Sequence, residues 1–596
     1  MKKMPLFLLL AAAPAWADAA IDLNQTGFSP DSPRLALLRG APDKPVEWIL
    51  RDAAGNAVLH GETKPIGEDR YAGQKLQRID FSGKAPAGQG YRLEAAGAIS
   101  PPFAIQTGLL APVARDALHY FYHQRSGMPI EVRFAGERWA RPAGHPSERV
   151  TCFAGKDEHG NQWPGCDHIL DATGGWYDAG DHGKYVVNGG IALWTLQNLA
   201  EMLPAAFPDG ALAIPEAGNR RSDLLDETRH EMEWMLSMQA PDGARMQLPV
   251  NQPDPSKPLQ FSEVDVGGMA HHKLADARWT ALPMRPDQDR EQRFLYPPST
   301  AATLNLAATA AQCARIWRGI DPAFSARCLT AAERAWNAAL RNPAIYATWS
   351  FNGSGGYGDA DVRDEFYWAA AELFATTGKP LYGQAVTHSE LFARVDSEPG
   401  WATTAPLGTL TLATLPNRLP EADERRLREA VIAAADRWQA ESAKVGYRIP
   451  NASDRYPWGS NAGLLNRAMV LATAYRLTGK AEYRDAVQDV ADYLLGRNPM
   501  GTSYVSGHGA HAANAMHHRF WANSIDPAFP PPPAGVLSGG PNNSAMADEV
   551  AKKMQGKCAP QTCWADDIHA YALNETAVNW NAPLVWVTSW LAAIEP

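Results

Sequence analysis

The chain has 596 residues, of which 45% are hydrophobic and 20% are charged, a composition typical of a folded protein rather than a disordered one. This length exceeds one ordinary hydrophobic core and predicts either several domains or one large ring-shaped domain. The net charge of −10 argues against a nucleic-acid partner, because phosphates require a basic surface.

The first 17 residues have the pattern of a secretory signal peptide. Lys2 and Lys3 give a positively charged start, residues 6–13 are apolar, and residues 15–17 have the small-residue pattern of a cleavage site. The apolar run is too short to cross a bilayer. We therefore expect a secreted or periplasmic protein with no membrane partner.

Residues 18–108 are predicted to form a small β-sandwich. Val46, Trp48 and Leu50 alternate with their neighbours, and Gly-containing turn sequences separate this run from similar ones. Short strands of this kind over about 85 residues are typical of a β-sandwich. No residue of this segment forms a catalytic pattern, so we expect its role to be structural.

Residues 109–596 are predicted to be mainly helical. Asp223 is placed to begin a helix whose apolar residues recur at helical spacing through Leu236. A helical hairpin also repeats, because Thr-Gly-Lys ends one helix at residues 377–379 and another at 478–480, and residues 314–324 resemble them. Repeated antiparallel helix pairs predict a closed ring, with its long loops, such as 245–273 and 526–541, at one rim.

The stretch from Gly174 to Tyr185 carries the first catalytic pattern. Asp178 and Asp181 are separated only by Ala and Gly, and the surrounding glycines allow a turn that directs both carboxylates to one point. A pair of carboxylates suits the deprotonation of a water molecule. Spacing alone leaves open an Asp-capped helix start or a surface calcium loop.

Two further polar stretches complete a set that fits glycosidic bond hydrolysis. Residues 503–519 end in a His-His-Arg cluster, and Glu575 lies among Leu573, Ala577 and Val578, which favour its protonated form. Hydrolysis needs one protonated carboxyl group for the leaving oxygen and one carboxylate for the attacking water. The three stretches together supply both.

These residues resemble glycoside hydrolase family 9. The similar motifs are Gly-Gly-Trp-Tyr-Asp-Ala-Gly-Asp at 174–181, Ser-Tyr-Val-Ser-Gly at 503–507, His-His-Arg at 517–519 and Asn-Glu at 574–575, followed by Asn-Trp-Asn-Ala-Pro. They recur in order over nearly the whole mature chain. The resemblance implies an inverting β-1,4-glucanase with an (α/α)6 barrel, preceded by an immunoglobulin-like β-sandwich as in the cellulase and cellodextrinase branch.

The resemblance also implies a role for individual residues. Asp181 matches the general base, Asp178 its partner on the water, and Glu575 the general acid. Six residues match positions that bind the sugar or line the cleft, although packing in the core is an alternative for the three tryptophans: Tyr177, Trp401, Trp458, His517, Arg519 and Trp580.

The same resemblance implies a structural calcium ion and no cofactor for the chemistry. Asp361, Asp364 and Glu365 lie in the stretch that commonly binds calcium, and clustered oxygen atoms suit this ion. An acidic helix N-terminus explains Asp364 and Glu365 as well. Ala402 and Thr403 stand where relatives often carry an acidic residue, which removes one expected ligand.

Six cysteines form three local pairs in a compartment that permits disulfides. We expect disulfides for the last two pairs, residues 313 with 328 and 558 with 563. For Cys152 and Cys166, the nearby His168 leaves a zinc site as the alternative to a disulfide.

The substrate is predicted to be a β-1,4-linked oligosaccharide or polysaccharide, and the enzyme a monomer. Residues 245–271 are longer than the family pattern, and an added loop that closes one end of the cleft would favour cutting from a chain end. An exo-acting β-glucosidase or exo-β-glucosaminidase on short oligosaccharides is therefore an alternative. A non-catalytic carbohydrate-binding protein is an alternative of another class.

Overall fold

The computed structural model describes residues 19–595, and the predicted signal peptide lies outside these residues. Ten strands form the N-terminal part, as the sequence predicts: β1 (Ala20–Asp22), β2 (Gly27–Phe28), β3 (Leu35–Arg39), β4 (Glu47–Arg51), β5 (Ala57–Glu62), β6 (Lys64–Asp69), β7 (Gln74–Asp80), β8 (Gly88–Ala95), β9 (Ala98–Ile99) and β10 (Phe103–Ile105).

These strands form a β-sandwich of two sheets. One sheet has the order β1-β3-β7-β6, and the other has β2-β10-β8-β4-β5 with β9 paired to β8. Alternate side chains of each sheet point inward and form a separate hydrophobic core, which includes Leu38, Leu50, Ile79 and Leu93. The period-2 pattern of the sequence therefore identified the buried face correctly.

The rest of the chain is mainly helical. Its helices are α1 (Leu110–Gln124), α2 (Val132–Ala135), α3 (Val186–Met202), α4 (Asp223–Ser237), α5 (Thr300–Trp317), α6 (Pro322–Arg341), α7 (Arg363–Thr377), α8 (Pro380–Thr387), α9 (Ala405–Thr414), α10 (Glu421–Ser442), α11 (Ser460–Thr478), α12 (Ala481–Leu494), α13 (Glu549–Met554), α14 (Tyr571–Asn574) and α15 (Val578–Ile594), with short 3-10 turns at Pro286–Gln288 and Pro560–Thr562.

Twelve of these helices form an (α/α)6 barrel. Six make a closed inner ring in which each packs on the next, in the order α3, α5, α7, α9, α11 and α15, and α15 returns to α3. The other six, α1, α4, α6, α8, α10 and α12, pack outside them. The inner helices are buried on nearly all sides, so their sequences are apolar all round, and the Ala-rich α5 allows close helix contacts.

The repeated hairpin turns have the predicted structure. Gly378 ends α7 and Gly479 ends α11, with φ angles of 64° and 72° that favour glycine. In the third hairpin, the side chain of Asp321 accepts a hydrogen bond from the backbone N–H of Phe324 and so begins α6. Short sequence signals at these turns therefore determine where the helices of the hairpins begin and end.

The loops at one rim contain the remaining strands: β11 (Arg149–Val150), β12 (Ala154–Lys156), β13 (Gln162–Pro164), β14 (Leu170–Asp171), β15 (Lys184–Tyr185), β16 (Arg245–Pro249), β17 (Phe261–Asp265), β18 (Lys273–Asp276) and β19 (Arg293–Leu295). The long segment that the sequence analysis singled out is a hairpin of β16 and β17. Its Phe261 packs edge-on against Trp163, with ring centroids 5.0 Å apart.

The sandwich and the barrel share a polar and apolar contact surface. The amide of Asn24 donates to Asp492 at 2.9 Å, and the hydroxyl of Tyr447 donates to Asp22 at 2.9 Å. Leu37 and Leu76 of the sandwich belong to the hydrophobic core of the barrel. The sandwich therefore supports the barrel from one side.

The cysteines only partly follow the prediction. Cys558 and Cys563 form the expected disulfide, and Cys152 and Cys166 are also joined. The predicted bond between the cysteines at 313 and 328 is wrong, because these two buried thiols lie 3.4 Å apart on the packed helices α5 and α6. Among the helices that the structure describes, none is both long and apolar enough to span a bilayer.

Candidate active site

The turn that carries the two aspartates lies between β14 and the start of α3. It meets the segment of residues 517–519 so closely that a Cβ atom at Gly180 would lie 2.4 Å from the carbonyl oxygen of His517. Real Cβ contacts are never this short, so the chain needs glycine between its two aspartates. The backbone N–H of Arg519 donates to the carbonyl of Gly180 at 2.9 Å and fixes the same contact.

Asp178 is buried, and both of its carboxylate oxygens accept hydrogen bonds. The amide of Asn188 donates to Oδ1 at 2.9 Å, and the hydroxyl of Tyr357 donates to Oδ2 at 2.7 Å. Burial, together with the negative charge of Asp181, raises the pKa of Asp178 to about 7, and the two hydrogen bonds oppose this rise. This carboxyl group is thus held in one orientation by neutral donors.

Asp181 has weaker partners than Asp178. The backbone N–H of Gly183 and the hydroxyl of Tyr185 donate to its Oδ2 at 3.3 and 3.2 Å. Tyr185 in turn accepts from the backbone N–H of Gly355 at 2.8 Å, so its own proton is directed toward Asp181. No donor of the described residues reaches Oδ1, which leaves that oxygen available for a ligand.

Glu575 lies just before α15 and faces the aspartate turn. Burial, followed by the negative charges of Asp181 and Asp178, raises its pKa well above the usual range. The neighbouring backbone N–H of Gly180 and the positive charge of Arg519 oppose this rise. The surroundings of Glu575 therefore favour its protonated form.

Backbone contacts bring these three carboxyl groups together from distant parts of the chain. The N–H of Val578 donates to the carbonyl of Asp178 at 2.8 Å, and the N–H of His517 donates to the carbonyl of Asn574 at 3.0 Å. His517 and Glu575 also pair as neighbouring strand residues. The turn, residues 517–519 and residues 574–578 thus form one site, as predicted.

The predicted sugar-binding residues of the 517–519 segment lie at this site. His517 donates from Nδ1 to the carbonyl of Ile568 at 2.6 Å, and burial lowers its pKa to about 4. Its Nε2 is therefore an unprotonated acceptor. Arg519 donates from Nη1 to the carbonyl of Gly180 at 3.2 Å and from Nε to the carbonyl of Thr280.

The predicted tryptophans lie on one side of the site. Trp458 is exposed and lies beside Tyr571, Trp401 is half-buried with its ring edge-on to Tyr357, and Trp580 is half-buried against Gly459. All three retain surface at the rim, so core packing alone does not explain them.

Tyr177 lies in a different environment from the other predicted sugar-binding residues. It is buried, and its hydroxyl is hydrogen-bonded to Nδ1 of His145 at 2.6 Å. Its ring also lies beside His182, below the aspartate turn. The predicted contact between Tyr177 and the sugar is therefore not supported. The sequence shows that an aromatic residue precedes Asp178, but it does not show in which direction its ring points.

Several residues near the site were not predicted. Tyr357, Asn188 and Tyr185 bind the aspartates, and Lys273 lies fully buried behind Tyr185 with its ammonium group 5.7 Å from that ring. Burial lowers the pKa of Lys273 to about 7, while the charge of Asp181 opposes the shift. Tyr185 and Asn188 lie close to the aspartates in sequence, whereas Tyr357 and Lys273 reach the site through the fold of the rim.

The predicted zinc ligands lie together. The sulfur atoms of Cys152 and Cys166 are joined as a disulfide, and one nitrogen of His168 lies within 4.8 Å of both. Nε2 of His168 is also 2.9 Å from Nε2 of His271, whose Nδ1 donates to the carbonyl of Tyr296. With that tautomer, Nε2 of His271 is unprotonated, and the four side chains match the donor set of a Cys2His2 zinc site once the sulfurs are reduced.

The predicted calcium residues are not gathered as a set. Asp361 is exposed and forms an ion pair with Arg363, and Asp364 accepts from the backbone N–H of Thr404 at 2.7 Å. Glu365, however, is fully buried, and neither of its oxygens has a hydrogen-bond partner. A buried carboxyl group without partners is costly when it is charged, and burial, followed by the negative charges of Asp364 and Asp359, raises the pKa of Glu365 well above its usual range.

A further group with ligand atoms close together consists of His145, Asp276 and Asp289. Its carboxylates already have partners, because Arg293 donates to Asp276 at 2.6 Å and His182 pairs with Asp289 at 2.6 Å. This group is a charge network below the aspartate turn, and we assign it no metal.

Comparison with known proteins agrees with this geometry. Residues 111–588 match the model of glycosyl hydrolase family 9, and residues 17–100 match the cellulase N-terminal ig-like domain. The chain is 41% identical to a cellulose 1,4-beta-cellobiosidase of Acetivibrio thermocellus and 43% identical to endoglucanase C of Cellulomonas fimi, in each case over 96% of its own length. It spans 67% and 52% of the length of these two relatives.

A solved structure is also similar. The Bacteroides ovatus GH9 structure has a TM-score of 0.81 and 31% sequence identity, and the match covers 97% of this chain and 99% of that chain. The matching family model covers the ring of helices except for the first residue of α1 and the last six residues of α15, and it includes all three carboxyl groups of the site. The chain therefore belongs to glycosyl hydrolase family 9 and is a glycoside hydrolase.

Proposed function

We propose that this protein hydrolyses β-1,4-glucosidic bonds in cellulose-derived glucans and cello-oligosaccharides with inversion at the anomeric carbon. Asp181 removes a proton from the attacking water, Asp178 orients that water, and Glu575 protonates the leaving oxygen. The observation that carries the proposal is the position of Glu575 opposite a pair of aspartates, in surroundings that raise its pKa, because an inverting site needs one acid and one base.

The partners of the two aspartates support this division of roles. Both oxygens of Asp178 are bound by fixed donors, whereas Oδ1 of Asp181 has no donor among the described residues. A base must present a free lone pair to the water, and an orienting group must hold its own direction. Asp181 meets the first requirement and Asp178 meets the second.

The surroundings of Glu575 support its role as the acid. Its raised pKa keeps it protonated in the free enzyme, and the N–H of Gly180 and the charge of Arg519 favour the carboxylate left after proton transfer. Arg519 and the unprotonated Nε2 of His517 then remain to bind sugar hydroxyl groups beside the cleaved bond.

The test is the hydrolysis of cellohexaose by the wild-type protein and by Glu575→Gln, with the anomeric form of the products followed by NMR. We expect α-anomers first, and a decrease in kcat of about 10²- to 10⁴-fold for the variant. An aryl cellobioside with an acidic leaving group needs less protonation and should lose less activity. The exposed Glu549→Gln is the matched control, and products of retained configuration would refute the mechanism.

We also propose a preference for cutting near a chain end. The β16–β17 hairpin is fixed to the loop that leads to Tyr357, since Asn251 donates to the carbonyl of Ala344 at 2.8 Å and Thr348 donates to the carbonyl of Gln252. This position supports a wall at one end of the cleft. The two relatives are named as a cellobiosidase and an endoglucanase, so the sizes of the first products from cellohexaose decide between the two modes.

We propose structural metals rather than catalytic ones. Cys152, Cys166, His168 and His271 would hold zinc in the reduced protein, and Glu365 with Asp364 would hold calcium. Zinc would cross-link the loops that carry β12 and β18, and calcium would neutralise a buried carboxylate at the start of α7. Metal analysis of protein purified with and without a reductant tests the zinc site. Thermal unfolding of the protein with and without EDTA tests the calcium site.

We propose, finally, that the protein is exported and acts as a monomer. The predicted signal peptide and the Cys558–Cys563 disulfide support an oxidising compartment. Fractionation of cells that express the full chain, followed by gel filtration of the exported protein, tests both statements.

A further inference from the structure

Two tryptophans differ from all the others in their exposure. Among the tryptophans that the structure describes, only Trp279 and Trp458 expose more than a third of their surface, at 49% and 37%. A single exposed apolar side chain needs no explanation, but these two are large aromatic side chains, and both lie near residues 517–519. Their positions relative to residues 517–519 are informative.

Trp458 lies beside the first residue of that segment. Its ring is 5.7 Å from that of Tyr571, and the ring of Tyr571 is 5.6 Å from that of His517. These three rings form a continuous aromatic row that ends at the site.

Trp279 lies beside the last residue of the same segment. The guanidinium carbon of Arg519 is 5.6 Å from the centre of its ring, and Arg519 donates to the carbonyl of the next residue, Thr280. The loop that carries Trp279 is fixed in place, because the N–H of Met284 donates to the carbonyl of Arg519 at 2.9 Å. The segment of residues 517–519 contacts Gly180, and one of the two tryptophans lies near each end of this segment.

From this arrangement we infer that Trp279 is a stacking platform for a pyranose ring of the substrate, on the opposite side of the cleaved bond from Trp458. This inference rests on the proposed function, since it extends the same cleft. Arg519 lies over the indole ring on one side, and Trp279 still exposes 49% of its surface to solvent. The open face matches the flat C–H face of a pyranose ring, which an exposed aromatic side chain binds without losing much conformational freedom.

The position explains why Arg519 is doubly anchored. One of its nitrogens holds the catalytic turn through Gly180, and another holds the loop of Trp279 through Thr280. A sugar ring stacked on Trp279 would therefore be held at a fixed distance from Glu575. The residue is a binding residue for the glycan, and it does not touch the reacting atoms.

The test uses cellohexaose labelled with ¹⁸O at its reducing end, so that mass spectrometry reports which bond is cut. Trp279→Ala and Trp458→Ala should each disfavour binding modes that fill their own side. We expect the ratio of cut positions to change about five- to tenfold, in opposite directions for the two variants. This ratio does not depend on how much of each variant is correctly folded.

Trp279→Phe keeps a flat face and should retain the wild-type ratio, and the exposed Leu381→Ala on α8 should do the same. An unchanged ratio in Trp279→Ala, or a change in the same direction as in Trp458→Ala, would overturn the inference. A second measurement is calorimetric binding of cellohexaose to Glu575→Gln with and without Trp279→Ala, where we expect about five- to tenfold weaker binding. If the wild type cuts no bond, the proposed function fails, and this measurement still decides whether Trp279 binds the glycan.

Discussion

Replacement of Tyr357 by Phe removes one hydroxyl group from the site and tests the proposed electrostatics. The hydroxyl donates to Oδ2 of Asp178 at 2.7 Å and so favours the ionised form of this carboxyl group. Burial and the charge of Asp181 already raise the pKa of Asp178 to about 7. A hydrogen bond to a charged group is worth about 1.5–3 kcal/mol, and one pKa unit corresponds to about 1.4 kcal/mol. The pKa of Asp178 should therefore rise by about one to two units in the variant.

The assay is the pH dependence of kcat/KM for cellohexaose between pH 4 and 9. Because Asp178 must be ionised to orient the water, activity is lost as the pH falls through its pKa, and the acidic limb should move to higher pH. Tyr382→Phe removes a hydroxyl that binds Glu333 on an outer helix, and its profile should match the wild type. An acidic limb of Tyr357→Phe that stays in place or moves to lower pH would refute the reasoning.

Three further predictions concern stability. Arg125→Met leaves the fully buried Glu227 without its ion pair and should lower the free energy of unfolding by about 3–5 kcal/mol, measured in urea. Leu304→Ala in the inner helix α5 should cost about 2–5 kcal/mol in the same assay, against at most about 0.5 kcal/mol for the exposed Leu381→Ala. Calcium should raise the midpoint of thermal unfolding of the wild type and have no effect on Glu365→Gln, and an equal rise in both would contradict a site at this residue.

The order of the helices could be predicted from the sequence, because their ends carry local signals. The Thr-Gly-Lys sequences end α7 and α11 through a left-handed glycine, and Asp321 begins α6. Such signals act over a few residues and need no knowledge of the fold. The closure of the ring by α15 against α3 involves residues almost 400 positions apart; the repeated helix pairs predicted a closed ring, but no local signal identified which helices meet to close it.

The candidate site shows the same limit. Asp178 and Asp181 share one short turn, so their partnership was visible in the sequence. Tyr357 and Lys273 reach that turn from other loops of the rim, and no local pattern connects them with it. Side-chain direction is equally non-local, which is why Tyr177 was expected at the sugar although it points down to His145.

The last helix, α15, lies next to Glu575 and also closes the ring, so both depend on the end of the chain. This helix completes the inner ring between α11 and α3, and Glu575 precedes it by only three residues. A polypeptide released by the ribosome before this point would lack its acid and would leave a gap in the wall of the barrel. We therefore expect a chain that ends before residue 575 to lose both the carboxyl group of Glu575 and the helix that closes the ring, so full activity requires synthesis of α15.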